Sequence, residues 1–200
     1  MDEETKIGDF SNVEESFCAS PVRNLTGTPR RIKDLCVDFY NSIQNWNSLC
    51  IEGVDFLKTI KDLKMQILNE KETDVTKLTV KIQDSSLQLQ EIVDKMDDIF
   101  CKMREITDYF KTISELSFHR HSEETVFQTW PPQKFYDTVN EILKMYCEQL
   151  SANKAILNHF CHLENEDKMT YFILVWCHLP KITDRASLLL HCMVQETNLL

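Results

Sequence analysis

Two short stretches near the N-terminus carry the residue types that a protein kinase modifies. Each has a hydroxyl residue, a proline, one further residue and a base: Ser20-Pro21-Val22-Arg23 and Thr28-Pro29-Arg30-Arg31. This is the full consensus of a proline-directed, cyclin-dependent kinase, whose pocket for the proline offers no partner to a backbone N–H. The pattern predicts phosphorylation of Thr28, with Ser20 secondary. The alternative is that patterns this short arise by chance.

A metal site is the second chemistry that the residue types allow. Histidines and cysteines stand close together at three places in the C-terminal part: His159 with Cys161 and His162, Cys177-His178, and His191-Cys192. Structural zinc sites usually show tight pairs such as CxxC, which none of the eight cysteines forms. We therefore expect small apolar cysteines in a core, and no metal or other cofactor. A small metal-binding helical protein stays as the alternative.

No constellation in the sequence predicts an enzyme. A cysteine–histidine nucleophile needs an activated thiolate in a cleft, and no local signature marks one here. The chain has only three glycines, Gly8, Gly27 and Gly53, so the glycine-rich phosphate loop of an ATPase is missing. We expect a binding protein without catalytic residues.

The composition favours a globular helical protein and disfavours two classes of ligand. A net charge of -10 argues against direct nucleic-acid binding, which rests on clustered Lys and Arg, and against an anionic membrane surface. The longest apolar run, from Tyr171 to Cys177, is far shorter than the ~20 residues of a membrane span. The acidic N-terminus does not resemble a signal peptide, and the scattered cysteines predict reduced thiols in the cytosol or nucleus.

The spacing of apolar residues predicts a long antiparallel helical hairpin over residues 28–117, after a flexible acidic tail over residues 1–27. A wide apolar stripe marks a first rod from about Arg30 to Asn69, in which Gly53 predicts a close helix crossing or a kink. A short polar loop follows. A narrow seam repeating every seven residues then marks a second, coiled-coil-like rod from Val75 to Leu116. The C-terminal helices or another protein must cover the rest of the wide stripe.

A linker over residues 118–130 precedes a predicted compact three-helix unit over residues 131–200, and the whole chain is predicted to be all-α. The first of these helices begins at Pro131 and ends near His162. Asn165 is predicted to cap the second helix, which ends at Pro180. This helix is apolar nearly all round, a pattern that indicates burial in a core or an interface. Thr183 is predicted to cap the last helix, whose inner face would include Ala186, Leu189, Leu190 and Met193.

Four aromatic residues are candidate contacts to a partner, because Trp and Tyr dominate the energetics of protein interfaces. They are Trp130, Phe135, Tyr136 and Trp176. The alternative is that they form the core of this protein. Phe127 and Trp130 are expected to fold back onto the helix that they precede.

Three groups of residues resemble the family of cyclin-dependent kinase 2-interacting protein. The first is Arg31-Ile32-Lys33-Asp34 leading into Trp46-Asn47-Ser48-Leu49, preceded by a TPRR-like sequence. The second is Phe127-x-Thr129-Trp130-Pro131, then Phe135-Tyr136 and Leu143-x-Met145-Tyr146. The third is Trp176-x-His178-x-Pro180 before the last helix. The resemblance covers roughly residues 28–198 in the same order.

The resemblance implies a non-enzymatic nuclear adaptor, with the cytoplasm as a second location. The partners that it implies are cyclin-dependent kinase 2 and a Cdc7-type kinase, replication-origin proteins, the ATR-interacting protein of checkpoint signalling, and a pair of AAA ATPases with a second small helical subunit. That complex is linked to replisome turnover and pre-60S ribosome biogenesis. A purely structural, self-associating coiled coil is a further alternative.

Overall fold

The computed structural model describes residues 26–69, 75–119 and 125–199, and they form five α-helices joined by short segments. The helices are α1 (Thr28–Asn69), α2 (Val75–His119), α3 (Pro132–Phe160), α4 (Glu166–His178) and α5 (Asp184–Thr197). Within these ranges no residue lies in a strand, and the predicted all-α class is confirmed. The predicted acidic tail and Ser20 lie outside the described residues, apart from the last two positions of the tail.

Helices α1 and α2 form the predicted antiparallel hairpin. The start of α1 meets the end of α2, since the Arg31 guanidinium lies 5.6 Å from the centre of the Tyr109 ring. The predicted stripe and seam are buried, including Ile32, Phe39, Trp46, Leu57 and Ile60 of α1 and Leu89, Met96, Met103 and Phe110 of α2. Apolar burial of this extent is the main source of the stability of a helix pair.

Helix α3 packs along α2 in the opposite direction. At its start Phe135 stacks on Phe110, with ring centres 6.3 Å apart, and near its end Lys154 pairs with Asp97 at 2.7 Å. Across the centre of the molecule, Tyr146 of α3 meets Trp46 of α1 edge-to-face at 5.1 Å. Helix α3 is therefore parallel to α1 and faces it across the core.

Helices α4 and α5 lie end to end in the groove between α1 and α3. Near the hairpin loop, Glu166 of α4 pairs with Lys61 of α1 at 3.5 Å. Toward the other end, Arg185 of α5 pairs with Glu141 of α3, and Lys33 donates to the carbonyl oxygen of Asn198 at 3.1 Å. Together α4 and α5 make the divided fourth helix of an up-down-up-down bundle. The small C-terminal unit thus covers the wide stripe of α1, which the sequence left to either these helices or another protein.

The break between α4 and α5 is supported from the core. Leu179 closes α4 in the left-handed conformation, with φ 46°, and Pro180 follows. The backbone N–H of Lys181, which lies between the two helices, donates to Oε1 of Gln149 at 3.0 Å. The amide of Gln149 in turn donates to Oδ1 of Asn153 at 2.8 Å. Because buried polar groups are costly without partners, this chain of amides in α3 stabilises the division of the fourth helix.

The helix ends follow the predicted caps in one case and not in the other. Asn165 caps α4, since its side chain accepts the N–H of Lys168 at 2.9 Å. Thr183 occupies the N-cap position of α5 without a side-chain cap, and its hydroxyl instead contacts the sulfur of Met145 at 3.6 Å. The predicted cap at Thr183 is therefore wrong, because the hydroxyl turns toward α3 instead of the first turn of α5.

The apolar sequence of α4 predicted burial in a core or an interface, and the core of this chain buries one side of it. Met169, Ile173 and Trp176 are buried, whereas Tyr171 is 62% exposed and Leu174 is 49% exposed. Helix α4 has neighbours on one side only, because it is the outer helix in the groove between α1 and α3. Its other side therefore faces solvent.

Candidate functional site

The four aromatic candidates divide into two pairs. Phe135 and Trp176 are both fully buried: Phe135 packs among the rings of Phe110, Phe127 and Trp130, and Trp176 donates its indole N–H to the carbonyl oxygen of Cys50 at 2.9 Å. Neither ring reaches the surface, so both belong to the protein's own core. This removes Phe135 and Trp176 from the predicted partner contacts.

Trp130 and Tyr136 are half-buried and remain candidates for partner contacts. The Trp130 ring stands edge-on to Phe135 at 5.1 Å, and the ammonium of Lys134 lies 5.8 Å from its centre. A half-exposed tryptophan with a cation beside it is the kind of residue that contributes strongly to interfaces. We refer to Trp130 and Lys134 together as the Trp130 surface.

The segment before α3 folds back as predicted. Phe127 meets Phe135 edge-to-face at 5.9 Å, so one buried ring anchors both aromatics that precede the helix. The N–H of Val126 donates to the carbonyl oxygen of Trp130 at 2.9 Å and closes the segment into a compact loop. We refer to residues 126–130 as the Trp130 loop.

A buried carboxylate from the far end of the chain binds the Trp130 loop. Oε1 of Glu196 accepts the backbone N–H groups of Gln128, Thr129 and Trp130 at 2.8, 2.6 and 2.8 Å, and Oε2 accepts the Thr129 hydroxyl at 2.8 Å. Successive N–H groups that converge in this way form an anion-binding nest. Burial acts to raise the pKa of Glu196, but the donors from Thr129, Trp130 and Gln128 outweigh it and hold the pKa below its ordinary value.

Sequence reasoning missed Glu196. It lies in the last turn of α5, three residues after the buried Met193, and this place on the predicted inner face is the one signal that could have found it. A lone charged residue on an apolar face indicates a buried partner. The partner itself is 66 to 68 residues away in the sequence, where no local spacing points to it.

Thr28, the predicted phosphorylation site, is accessible. It is the exposed first residue of α1 and lines a cavity of about 530 Å³ between the start of α1, the end of α2 and the segment before α3. Arg31, Ile113 and Val126 also line this cavity. Phosphorylation at Thr28 stays a prediction.

The cysteines and histidines that the metal alternative invokes are spread over α3, the turn that follows it, α4 and α5. In the part of the chain that the structure describes, no three His, Cys, Asp or Glu side chains are placed to hold a metal ion together. Cys161 instead lies 3.0 Å from the hydroxyl of Ser86. Cys36 and Cys50 are buried, and burial raises the pKa of Cys50 to about 12.

None of the described helices is long and apolar enough to cross a membrane.

Comparison with known proteins gives a consistent result. No family model matches the chain, but several curated relatives do. The chain is 27% identical to the cyclin-dependent kinase 2-interacting protein of Homo sapiens over 192 residues, which cover 86% of this chain and 91% of the relative. It is 26% identical to the protein of the same name from Xenopus laevis over 187 residues, which cover 86% and 90%. The relative from Mus musculus is 26% identical with the same coverage as the human one. Because these matches span most of both chains, they confirm the resemblance of this chain to the family of cyclin-dependent kinase 2-interacting protein.

Proposed function

We propose that this chain is a non-enzymatic adaptor that binds cyclin-dependent kinase 2. The observation that carries the proposal is the match to relatives that bear the name cyclin-dependent kinase 2-interacting protein, over about 90% of their length. The bundle offers a suitable contact, since Trp130 and Tyr136 are only partly buried near the start of α3. Adaptor and kinase would meet through this surface at the start of α3.

The wider role that we propose follows the family resemblance. It is a nuclear protein, present also in the cytoplasm, that acts in DNA replication and checkpoint signalling. Its further partners would be a Cdc7-type kinase, replication-origin proteins and the ATR-interacting protein. It would also be a subunit of an AAA ATPase complex with a second small helical protein, in replisome turnover and pre-60S ribosome biogenesis. We expect no direct nucleic-acid or membrane binding, in keeping with the net charge of -10.

Calorimetric titration of the purified full chain with purified cyclin-dependent kinase 2, alone and with its cyclin, tests the proposal. We expect Trp130→Ala to weaken binding by about tenfold or more, and Tyr136→Ala to weaken it to a smaller extent, because truncation of a central aromatic typically has effects of this size. Tyr171→Ala is the matched control, since Tyr171 is an exposed aromatic of α4. No binding by the unmodified chain to either form of the kinase would contradict the proposal.

The wider partners need a different experiment. Affinity purification from nuclear extract, read by mass spectrometry, should recover the kinases and the AAA ATPase pair with the unmodified chain. Elemental analysis and light scattering of the purified protein address the two alternatives, since stoichiometric zinc indicates a metalloprotein and self-association without a foreign partner indicates a structural coiled coil.

A further inference from the structure

We propose that Glu196 is the positioning residue of the Trp130 surface: its carboxylate holds the Trp130 loop in the one conformation in which Trp130 meets the partner. This inference rests on the proposed function, because it explains how the same surface is kept ready to bind. It assigns a role to the last turn of α5, which itself carries none of the aromatic candidates.

The Trp130 backbone is held by a hydrogen bond at its N–H and another at its carbonyl oxygen. Its N–H donates to Glu196 at 2.8 Å, and its carbonyl oxygen accepts the N–H of Val126 at 2.9 Å. With the backbone fixed, the ring has few ways to stand between Phe135 and Lys134. Binding then requires little further ordering of this residue, and preorganisation of this kind increases affinity.

Glu196 also binds the two residues of the loop that precede Trp130. Three successive N–H groups and the hydroxyl of Thr129 all donate to its carboxylate. Only 6% of Glu196 is exposed, so water cannot readily replace it as the acceptor. Hydrogen bonds to a charged group are stronger than neutral ones, and four on one carboxylate should keep the loop in a single conformation.

Glu196 is itself held in place by the packing of α5. The last turn of α5 is anchored by the buried side chains of Met193 and Val194. The amide of Gln128 adds bonds from the loop to the carbonyl oxygen of Gln195 at 3.3 Å and to the side chain of Asn198 at 3.1 Å. Lys33 of α1 donates to the carbonyl oxygen of Asn198 at 3.1 Å. Through these contacts the loop is tied to α5, and α5 to the hairpin.

The test compares glutamate substitutions at two different contacts of α5. Glu196→Gln keeps the size of the side chain but removes the charge and places an amide donor among the N–H donors. Glu141→Gln is the matched control, because Glu141 of α3 pairs with Arg185 of α5 at an exposed contact outside the Trp130 loop. The free energy of unfolding is measured for both, so that a general loss of stability can be recognised.

Two measurements report on the loop without any partner. In Glu196→Gln we expect at least tenfold faster amide hydrogen exchange at Gln128, Thr129 and Trp130, with little change in α1 and α2, since a lost charge-assisted bond corresponds to about a factor of ten or more. Quenching of tryptophan fluorescence by acrylamide should also increase. It reports on Trp130 because Trp46 and Trp176 are fully buried, and Trp130→Phe should abolish the quenchable part.

The third measurement is affinity for cyclin-dependent kinase 2, which we expect to fall by about tenfold in Glu196→Gln and to stay unchanged in Glu141→Gln. Unchanged exchange and quenching in Glu196→Gln would overturn the positioning role. A loosened loop with unchanged affinity would overturn its importance for binding. If the unmodified chain does not bind the kinase, the proposed function fails, and the exchange and quenching data still decide whether Glu196 positions Trp130.

Discussion

Trp176 lies directly against Gly53, so that its indole ring occupies the space in which a side chain at Gly53 would begin. A Cβ atom placed on Gly53 would be 2.5 Å from Cζ2 and 2.9 Å from Cε2 of Trp176, closer than carbon atoms approach without a shift. Glycine is needed here because two helices cross closely, and its permissive backbone is not used. The close crossing that the sequence predicted at Gly53 is confirmed.

We expect Gly53→Ala to lower the free energy of unfolding by up to about 2 kcal/mol, which reverses the usual effect of this substitution in a helix. Overpacking typically costs about 1–3 kcal/mol, whereas the better helix propensity of alanine returns about 1 kcal/mol. Urea unfolding followed by circular dichroism measures the change. Ser48→Ala, at an exposed position of the same helix, should stay within about 0.5 kcal/mol of the unmodified chain.

A double-mutant cycle makes this prediction specific to the ring. Phenylalanine lacks the indole atoms that approach Gly53, so Gly53→Ala should cost less in the Trp176→Phe background than in the unmodified chain. Equal costs in both backgrounds would show that the clash is not the cause.

Substitution of the two N-cap residues of the divided fourth helix, Asn165 and Thr183, should change the free energy of unfolding by different amounts. Asn165→Ala should lower the free energy of unfolding by about 1 kcal/mol, because the N–H of Lys168 loses its acceptor and loss of a side-chain cap typically has this cost. Thr183→Ala is the matched control and should change it by less than about 0.5 kcal/mol, since the Thr183 side chain forms no cap. A larger effect at Thr183 than at Asn165 would contradict this assignment.

The contribution of Glu196 to stability should depend on pH in one direction. Its pKa in the folded protein lies below the ordinary value of 4.5, so the unfolded chain takes up the proton first as the pH falls. The stabilisation is therefore fully present above pH 4.5 and is lost as the pH falls through the lower, folded pKa. The difference in unfolding free energy between the unmodified chain and Glu196→Gln should be largest at neutral pH and shrink in acid. A difference between the two proteins that stays constant from neutral to acidic pH would contradict this prediction.

Thr28 is expected to be the main site for a cyclin-dependent kinase, with Ser20 secondary. It is the exposed first residue of α1, and the first turn of that helix holds no acidic residue. A phosphate adds about -1.5 to -2 charges at the positive end of the helix, next to Arg30 and Arg31. It should therefore stabilise the helix start and alter partner affinity without changing the fold.

Incubation of the purified chain with an active kinase–cyclin pair, followed by mass-spectrometric mapping, tests the modification. Thr28→Ala, Thr28→Glu and the phosphorylated chain are then compared in partner binding. Absence of phosphate on Thr28, or identical binding by all forms, would refute the prediction.

The positions of the helices and several local contacts follow from the residue pattern alone. The repeat of apolar residues placed the hairpin, since a helix buries the same face every three to four residues. Asn165 marked a helix start, and Gly53 marked either a close crossing or a kink, because each depends on the chemistry of one residue. The return of Phe127 and Trp130 onto α3 followed from the cost of exposing two large rings beside an apolar helix.

The arrangement of these helices and the accessibility of the aromatics depend on how the folded chain packs. An apolar face requires cover but does not name it, so the end-to-end placement of α4 and α5 between α1 and α3 could not be derived from periodicity. The same limit applies to Phe135 and Trp176, which are core, and to Trp130, which is half-exposed. Three of the four donors to Glu196 are backbone N–H groups of the Trp130 loop, which every residue except proline carries, and the fourth, the Thr129 hydroxyl, does not by itself identify a partner 67 residues away.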